Sequence, residues 1–258
     1  MDNKIYKHII QKKEFSQLPK KDVEFAFSHF EKRQVSDEEK IRLTRELLHK
    51  VFGAFTSQKL LSPKNKNEGW ILRKHLSTRE RLPHYEEVYE KILKGFENKE
   101  ISVIDLGAGV NGFSYKYFQD LNFKVNYLGV EAVGQLVDLM NDYFKEKKIS
   151  GIAHHESLFE LEKIKKIIKK IEKPRIIFLF KVLDSLEMLE SDYSKKILKE
   201  VAPLADKVVI SFATRSMIKR KQFLVNRNWI LDFIKENFQV LEDFEIGGER
   251  YICFEKRD

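Results

Sequence analysis

The chain has one cysteine, Cys253, in 258 residues. That excludes an internal disulfide and a cysteine-based zinc cluster. No apolar run approaches the ~20 residues that a membrane-spanning helix needs. The first residues, Met1-Asp2-Asn3-Lys4, carry no apolar stretch of the signal-peptide kind, so the expected compartment is the cytoplasm. No internal repeat is evident. What remains is an ordinary apolar content of 42% in a chain long enough for one large core and a smaller appendage.

Charge is unevenly spread. The net charge is +8. Residues 1–99 hold 22 Lys and Arg against 15 Asp and Glu, while residues 100–258 hold 26 against 25. The excess therefore lies almost wholly in the first part. A basic segment joined to a nearly neutral one suggests a polyanionic partner. A solvated lysine-rich surface is the plainer alternative.

The stretch Val103-Ile104-Asp105-Leu106-Gly107-Ala108-Gly109-Val110-Asn111-Gly112 organises the rest. A short buried strand runs into glycines, and a helix follows near Phe113. Glycines let a ligand lie against the backbone, and a helix N-terminus offers free N–H groups. Read literally, Gly107 to Gly112 is the G-x-G-x-x-G dinucleotide fingerprint. Asp105, two residues before the first glycine, faces a pyrophosphate badly and an ammonium well. D-L-G-x-G therefore fits the S-adenosylmethionine (SAM) turn of Rossmann-like methyltransferases better than a nicotinamide site. Glu131 ends the next strand and suits the ribose hydroxyls under either reading. A structural turn with no ligand is the third possibility.

Taken in order, residues 1–50 read as helices, with Ser36 as an N-cap before an acidic first turn. Residues 62–69 form a polar loop, and a helix spans 82–96 with Pro83 in its first turn. From residue 101 strands alternate with helices. Strands are expected at 101–106, 125–130, 151–154, 176–180, 207–213, 238–244 and 249–255. Helices are expected at 113–121, 133–147, 159–172, 186–201 and 226–237. The fold class is α/β: a class I Rossmann-like, SAM-dependent methyltransferase sheet with an antiparallel last strand, plus an N-terminal helical domain. The expected division is a basic, helical domain at 1–98 and a methyltransferase domain at 99–258. Gly247-Gly248 joins the last two strands in a hairpin, which a nicotinamide domain does not need. SAM is expected across the switch point between strands one and two.

Three stretches carry candidate chemistry. Trp70 to Pro83 crowds Arg73, Lys74, Arg79 and Arg81 against Glu80. Phosphates, or the carboxylate of a methionine moiety, suit it; so does a capping loop with Ser77 or Thr78 as N-cap. Lys181 ends an apolar strand at the carboxyl face where α/β sheets bind ligands, with Asp184 and Glu187 behind it. A Lys there is costly unless paired or working, and Glu187 is the expected partner. Residues 207–231 hold Lys207, Arg215, Lys219, Arg220, Lys221 and Arg227 and no acid. Met217, Phe223 and Trp229 add stacking surfaces there. Cys253, in the last strand, is badly placed as the thiolate that pyrimidine C5 methylation needs. No D/N-P-P-Y/F clamp for exocyclic amines follows strand four. Guanine N7, already a nucleophile, needs positioning and no general base. His154 and His155 point to opposite faces of a strand, so no metal site is expected.

Five blocks in order, from about His49 to the C-terminus, give the chain a family resemblance. They are His75-Leu76-Ser77-Thr78-Arg79-Glu80-Arg81, Asp105 to Asn111, Leu179-Phe180-Lys181-Val182-Leu183 with Leu186-Glu187, Ser211-Phe212-Ala213-Thr214-Arg215-Ser216, and Gly247-Gly248-Glu249-Arg250-Tyr251. The chain resembles the Arm (FmrO-like) 16S rRNA guanine-N7 methyltransferases of aminoglycoside resistance. The resemblance implies SAM as cofactor and 16S rRNA in the 30S subunit as partner, with the enzyme a monomer. It implies that Arg81 meets the SAM carboxylate, that Glu131 holds the ribose, and that Lys181 and Glu187 are needed for activity. The expected cofactor-binding set is His75, Ser77, Arg81, Asp105, Gly107, Ala108, Gly109, Glu131, Ser157, Leu158 and Phe180. The expected RNA-binding set is Arg73, Lys74, Arg79, Arg215, Lys219, Arg220, Lys221 and Arg227. The chain departs from the family pattern at Gly112, Asp184 and Ala213, each a proline there, and at Glu131, usually Asp. Two other classes stay open: a methyltransferase for a small molecule or protein, and a non-catalytic RNA-binding protein on the same fold.

Overall fold

The computed structural model describes residues 1–61, 66–214 and 227–257. Its centre is a seven-stranded sheet: β1 (Glu100–Leu106), β2 (Lys124–Glu131), β3 (Gly151–His155), β4 (Arg175–Phe180), β5 (Lys207–Ala213), β6 (Phe238–Ile246) and β7 (Glu249–Lys256). The spatial order is β3-β2-β1-β4-β5-β7-β6. The first five strands are parallel, and β7 runs antiparallel between β5 and β6. β1 and β4 are buried along nearly their whole length. That is why Ile-Ser-Val-Ile-Asp-Leu and Ile-Ile-Phe-Leu-Phe read as continuous rather than alternating apolar runs. Strand β6, at the edge, alternates between partly buried and exposed residues.

The helices are α1 (Asn3–Ile10), α2 (Lys20–Glu31), α3 (Asp37–Val51), α4 (Glu68–Lys74), α5 (Leu76–Arg81), α6 (Tyr85–Ile92), α7 (Tyr115–Asp120), α8 (Gly134–Lys147), α9 (Leu161–Lys169), α10 (Leu183–Leu189), α11 (Tyr193–Val201) and α12 (Asn228–Asn237). Ser36 caps α3 as expected, its hydroxyl accepting from the Glu39 amide at 3.3 Å. Helices α2 and α3 pack on α10, and their apolar residues join one cluster with those of the sheet. The basic segment is therefore seated against the carboxyl rim of the sheet.

The expected strands and the hairpin are present. Gly247 and Gly248 both take positive φ (61° and 80°), as a two-residue turn between twisted strands requires. Four expectations need correction. The strand order reverses between β1 and β4, because β2 and β3 both lie on one side of β1; the switch point is not between strands one and two. The helix expected at 186–201 is two helices, α10 and α11, separated at Asp192, whose backbone is left-handed (φ 61°). The helix expected at 82–96 ends at Ile92 and opens with a 3-10 turn, Leu82–His84. His75, not Ser77 or Thr78, is the N-cap of α5. Ser77 and Thr78 lie inside the helix, and the Thr78 hydroxyl donates back to the Leu72 carbonyl at 2.7 Å. Residues 62–65 of the expected polar loop lie outside the described residues.

Candidate active site

The carboxyl ends of β1, β2, β3 and β4 border one recess, with α5 and α2 closing over it. The glycine turn forms its floor. Gly107 and Gly109 both have positive φ (78° and 55°). A Cβ on Gly107 would lie 2.6 Å from Val182, and one on Gly109 would lie 2.8 Å from the His75 ring. Both positions thus require glycine for conformation and for space.

Asp105, at the end of β1, is 1% exposed. Its Oδ2 accepts from Tyr127 Oη at 2.6 Å and from Asn111 Nδ2 at 2.7 Å. Asn111 in turn accepts at Oδ1 from Tyr85 Oη (2.7 Å) and Arg81 Nη1 (3.1 Å). Asn111 therefore links the carboxylate of β1 to the guanidinium of α5, and its amide orientation is fixed by having a donor on one side and an acceptor on the other. Burial raises the Asp105 carboxyl above its ordinary value, against the lowering effect of Tyr127 and Asn111.

Arg81 is almost fully enclosed. Nε donates to Tyr251 Oη at 3.1 Å, and Nη2 reaches Ser77 Oγ (3.3 Å) and Glu249 Oε1 (2.7 Å). Phe180 lies under the guanidinium, 4.5 Å from ring centre to Cζ. Glu249 also takes Lys181 Nζ at 3.0 Å, and Lys181 pairs with Glu80 at 2.7 Å. The corner is a chain of alternating charge, Arg81–Glu249–Lys181–Glu80. Burial works against the charge on Glu249, but Arg81 and Lys181 outweigh it and hold the carboxyl below its ordinary value. Lys181 itself sits at φ 56°, a conformation costing a side-chain-bearing residue roughly 1–3 kcal/mol. The expected partner of Lys181, Glu187, is elsewhere. Its two oxygens accept from the amides of Asp192 and Ser194, each at 2.7 Å. It caps the start of α11, where free N–H groups favour a carboxylate.

Glu131 ends β2 inside the recess, bound by the amides of Gly109 and Val133, each at 2.8 Å. The side chain of Glu spans from the strand end to the glycine turn, which accounts for the departure from Asp. Burial raises its carboxyl above the ordinary value, offset by these amides. His75 is pushed down to about 3, first by burial and then by Arg81 and Lys181, so the ring is neutral. Its Nδ1 has no partner among the described residues.

Ten of the eleven expected cofactor residues line this recess: His75, Ser77, Arg81, Asp105, Gly107, Ala108, Gly109, Glu131, Leu158 and Phe180. Ser157 is fully buried beside it, its hydroxyl accepting from the Phe159 amide. Lys181 also faces the recess. Of the expected RNA-binding residues, Arg73 and Arg79 are exposed and Lys74 is half-buried, its ammonium over Trp70. Arg227 is folded back onto Asp184 (2.7 and 3.2 Å) and the Ala213 carbonyl. That pair explains the acidic residue at 184. Arg215, Lys219, Arg220 and Lys221, with Met217 and Phe223, lie outside the described residues. Cys253 is buried in β7 opposite Val209, its thiol pushed up to about 12 by burial. Sequence reasoning missed Asp22, Glu80 and Glu249 as site residues. Glu80 and Glu249 stand in the motif blocks, adjacent to other candidate residues; Asp22 carries no motif at all.

Comparison with known proteins agrees with this geometry. The FmrO family model, described as a ribosomal RNA methyltransferase, matches residues 67–229. A 16S rRNA (guanine(1405)-N(7))-methyltransferase of Micromonospora echinospora is 23% identical over 244 residues, covering 84% of this chain and 82% of that protein. One of the same name from Proteus mirabilis is 25% identical over 193 residues, covering 70% and 62%. Among solved structures, the 16S rRNA methyltransferase RmtF in complex with S-adenosyl-L-homocysteine superposes with a TM-score of 0.79 at 20% identity, covering 100% of both chains. The 16S rRNA methylase RmtB gives 0.75 at 18% identity, covering 99% of this chain and 98% of that one. The family match spans more than half of the chain, and the chain belongs to the FmrO family of ribosomal RNA methyltransferases.

Proposed function

We propose that this protein transfers a methyl group from SAM to N7 of a decoding-site guanine in the 16S rRNA of the assembled 30S subunit. The product is 7-methylguanosine of the aminoglycoside-resistance type. The enzyme works in the cytoplasm as a monomer; among the described residues no helix is long and apolar enough to cross a membrane. The observation that carries the reading is the convergence of Asp105, Glu131, Arg81 and Lys181 on one recess floored by the glycine turn. Relatives named for guanine-1405 N7 methylation support the target.

The residues present fit the cofactor. The turn has no room for side chains, a carboxylate stands at each of two adjacent strand ends, and a guanidinium waits behind. When bound, SAM supplies an electrophilic methyl group on a positively charged sulfur. Arg81 would hold its carboxylate, Asp105 its ammonium and Glu131 its ribose hydroxyls. Arg81 stays in place without ligand because Glu249, Asn111 and Tyr251 already fix its plane, so little ordering is left to be done on binding. Lys181 marks the acceptor side of the recess. Guanine N7 carries its own lone pair, so the methyl transfer that SAM would supply needs no side chain to activate the acceptor. No proton leaves N7, so the site needs orientation rather than a base. This matches a recess whose imidazole, His75, is pushed down to about 3 and so is a weak base, and whose thiol, Cys253, is remote. Glu187 acts as a positioning residue, tying α10 to the start of α11 behind Lys181. Arg73, Lys74 and Arg79 contact rRNA phosphates, together with the basic residues between 214 and 227. The residues before 99 form the RNA-binding domain.

The test is transfer of labelled methyl from SAM to purified 30S subunits, 50S subunits and a bulk protein mixture. Label confined to the 16S rRNA of 30S subunits supports the reading; label in protein, or none in any, overturns it.

A further inference from the structure

Asp22 belongs to α2, in the N-terminal helical segment, yet it is 2% exposed and lines the cofactor recess. Ser157 hydrogen-bonds to its carboxylate, which leaves Oδ2 without a hydrogen-bond partner among the described residues. An unpartnered carboxylate oxygen in such a place costs stability unless a ligand completes it. Its surroundings say which ligand atom that is. Asp22 lies beside Glu131, Glu156 and Ser157, at the β2–β3 end of the rim. Arg81 and Lys181 occupy the opposite, β4 end. A molecule with its carboxylate at Arg81 and its ribose at Glu131 therefore extends its base toward Asp22. The walls there are Ala132, Val133, Leu136, Leu158 and Phe159, an apolar lining of the kind a purine ring favours. A purine held among apolar side chains meets one open acceptor, Oδ2, and the matching edge is a donor.

We infer that Asp22 accepts a hydrogen bond from the exocyclic 6-amino group of the cofactor's adenine, so that the N-terminal helical segment completes the cofactor site. This rests on the SAM reading above. Burial also pushes the Asp22 carboxyl up to about 7, with Glu131 and Glu156 adding to the effect and Ser157 opposing it. Among the described residues Asp22 makes no salt bridge, and Tyr193 of α11 is a further titratable neighbour. A donor arriving at Oδ2 relieves that deficit.

The test uses the full chain and calorimetry with two ligands: S-adenosylhomocysteine, and its deaminated form, in which a 6-oxo group replaces the amine. At a pH well above the Asp22 value of about 7, the intact protein binds the amino form more tightly, by on the order of tenfold to a hundredfold, the range of a hydrogen bond to a charged group. Asp22→Ala brings the ratio to within a few-fold of one. Asp22→Asn, which turns an amide nitrogen toward a 6-oxo group, does the same without changing shape and serves if the alanine variant unfolds. Melting temperatures confirm folding. Full discrimination retained by a folded Asp22 variant overturns the inference and leaves the SAM reading intact. Failure of the unmodified protein to bind S-adenosylhomocysteine overturns both.

Discussion

Replacing Asp22 by Asn should stabilise the ligand-free protein at alkaline pH and do much less at acid pH. The carboxyl is raised from 3.8 to about 7, chiefly by burial. A group that binds its proton more tightly in the folded state favours folding at low pH. Its contribution is fully present below the unfolded value and is lost as pH rises through the folded one. The shift is about three units, so ionised Asp22 costs roughly 4 kcal/mol above neutrality. Part of that cost is already present at about pH 5, and integration leaves roughly 2–3 kcal/mol between about pH 5 and pH 8. Asp22 also stands in the first turn of α2, where a negative charge is favoured by ~0.3–1 kcal/mol; this trims the gain without reversing it. Glu131 and Glu156 face the same position, and their charge adds to the cost of ionising Asp22, a cost that Asn does not meet. Urea unfolding of both proteins at the two pH values gives the number. An advantage for the Asp22→Asn variant that does not change with pH, or that shrinks as pH rises, refutes the reasoning.

Other substitutions test other parts of the recess. Glu249→Gln leaves Arg81 and Lys181 buried with one neutral partner between them, and should destabilise by roughly 3–5 kcal/mol in urea unfolding; a change under about 1 kcal/mol would mean the pair is not buried in solution. Arg81→Ala and Asp105→Asn should each weaken SAM binding by at least about tenfold in calorimetry, and unchanged affinity for either removes its role at the methionine end. Binding to 30S subunits should fall steeply with salt: the three phosphate contacts from Arg73, Lys74 and Arg79 alone imply a loss of at least roughly 40-fold between about 50 and 200 mM. A flat response contradicts an electrostatic RNA interface.

The parts legible in sequence were those with a local signature. Buried parallel strands announce themselves as apolar runs, and the hairpin through its paired glycines. Asp105, Gly107 and Gly109 are adjacent in sequence and in space, so their joint role is readable. The partner of Lys181 was not. Glu187 lies six residues away in sequence, but Val182 opens a helix that carries Glu187 to the cap of α11, while Glu80 and Glu249 arrive from α5 and β7. Long-range pairing of this kind has no spacing rule. The switch point was misplaced because strand order is a property of topology, and alternating elements alone do not state on which side of β1 each strand returns. Asp22 was invisible for a third reason: one of three acids in α2, next to two lysines, it becomes buried only when the helix settles against the rim. Arg227 read as an exposed basic residue and is in fact engaged by Asp184.

The account turns on a methyl group reaching guanine N7 from this recess. Incubation of 30S subunits with enzyme and SAM, followed by borohydride reduction, aniline cleavage and primer extension of the 16S rRNA, reads that atom directly. We expect a single strand break at a decoding-site guanine that is lost with Lys181→Ala. Methyl label in the rRNA without any such break would place the product at another atom and contradict the account.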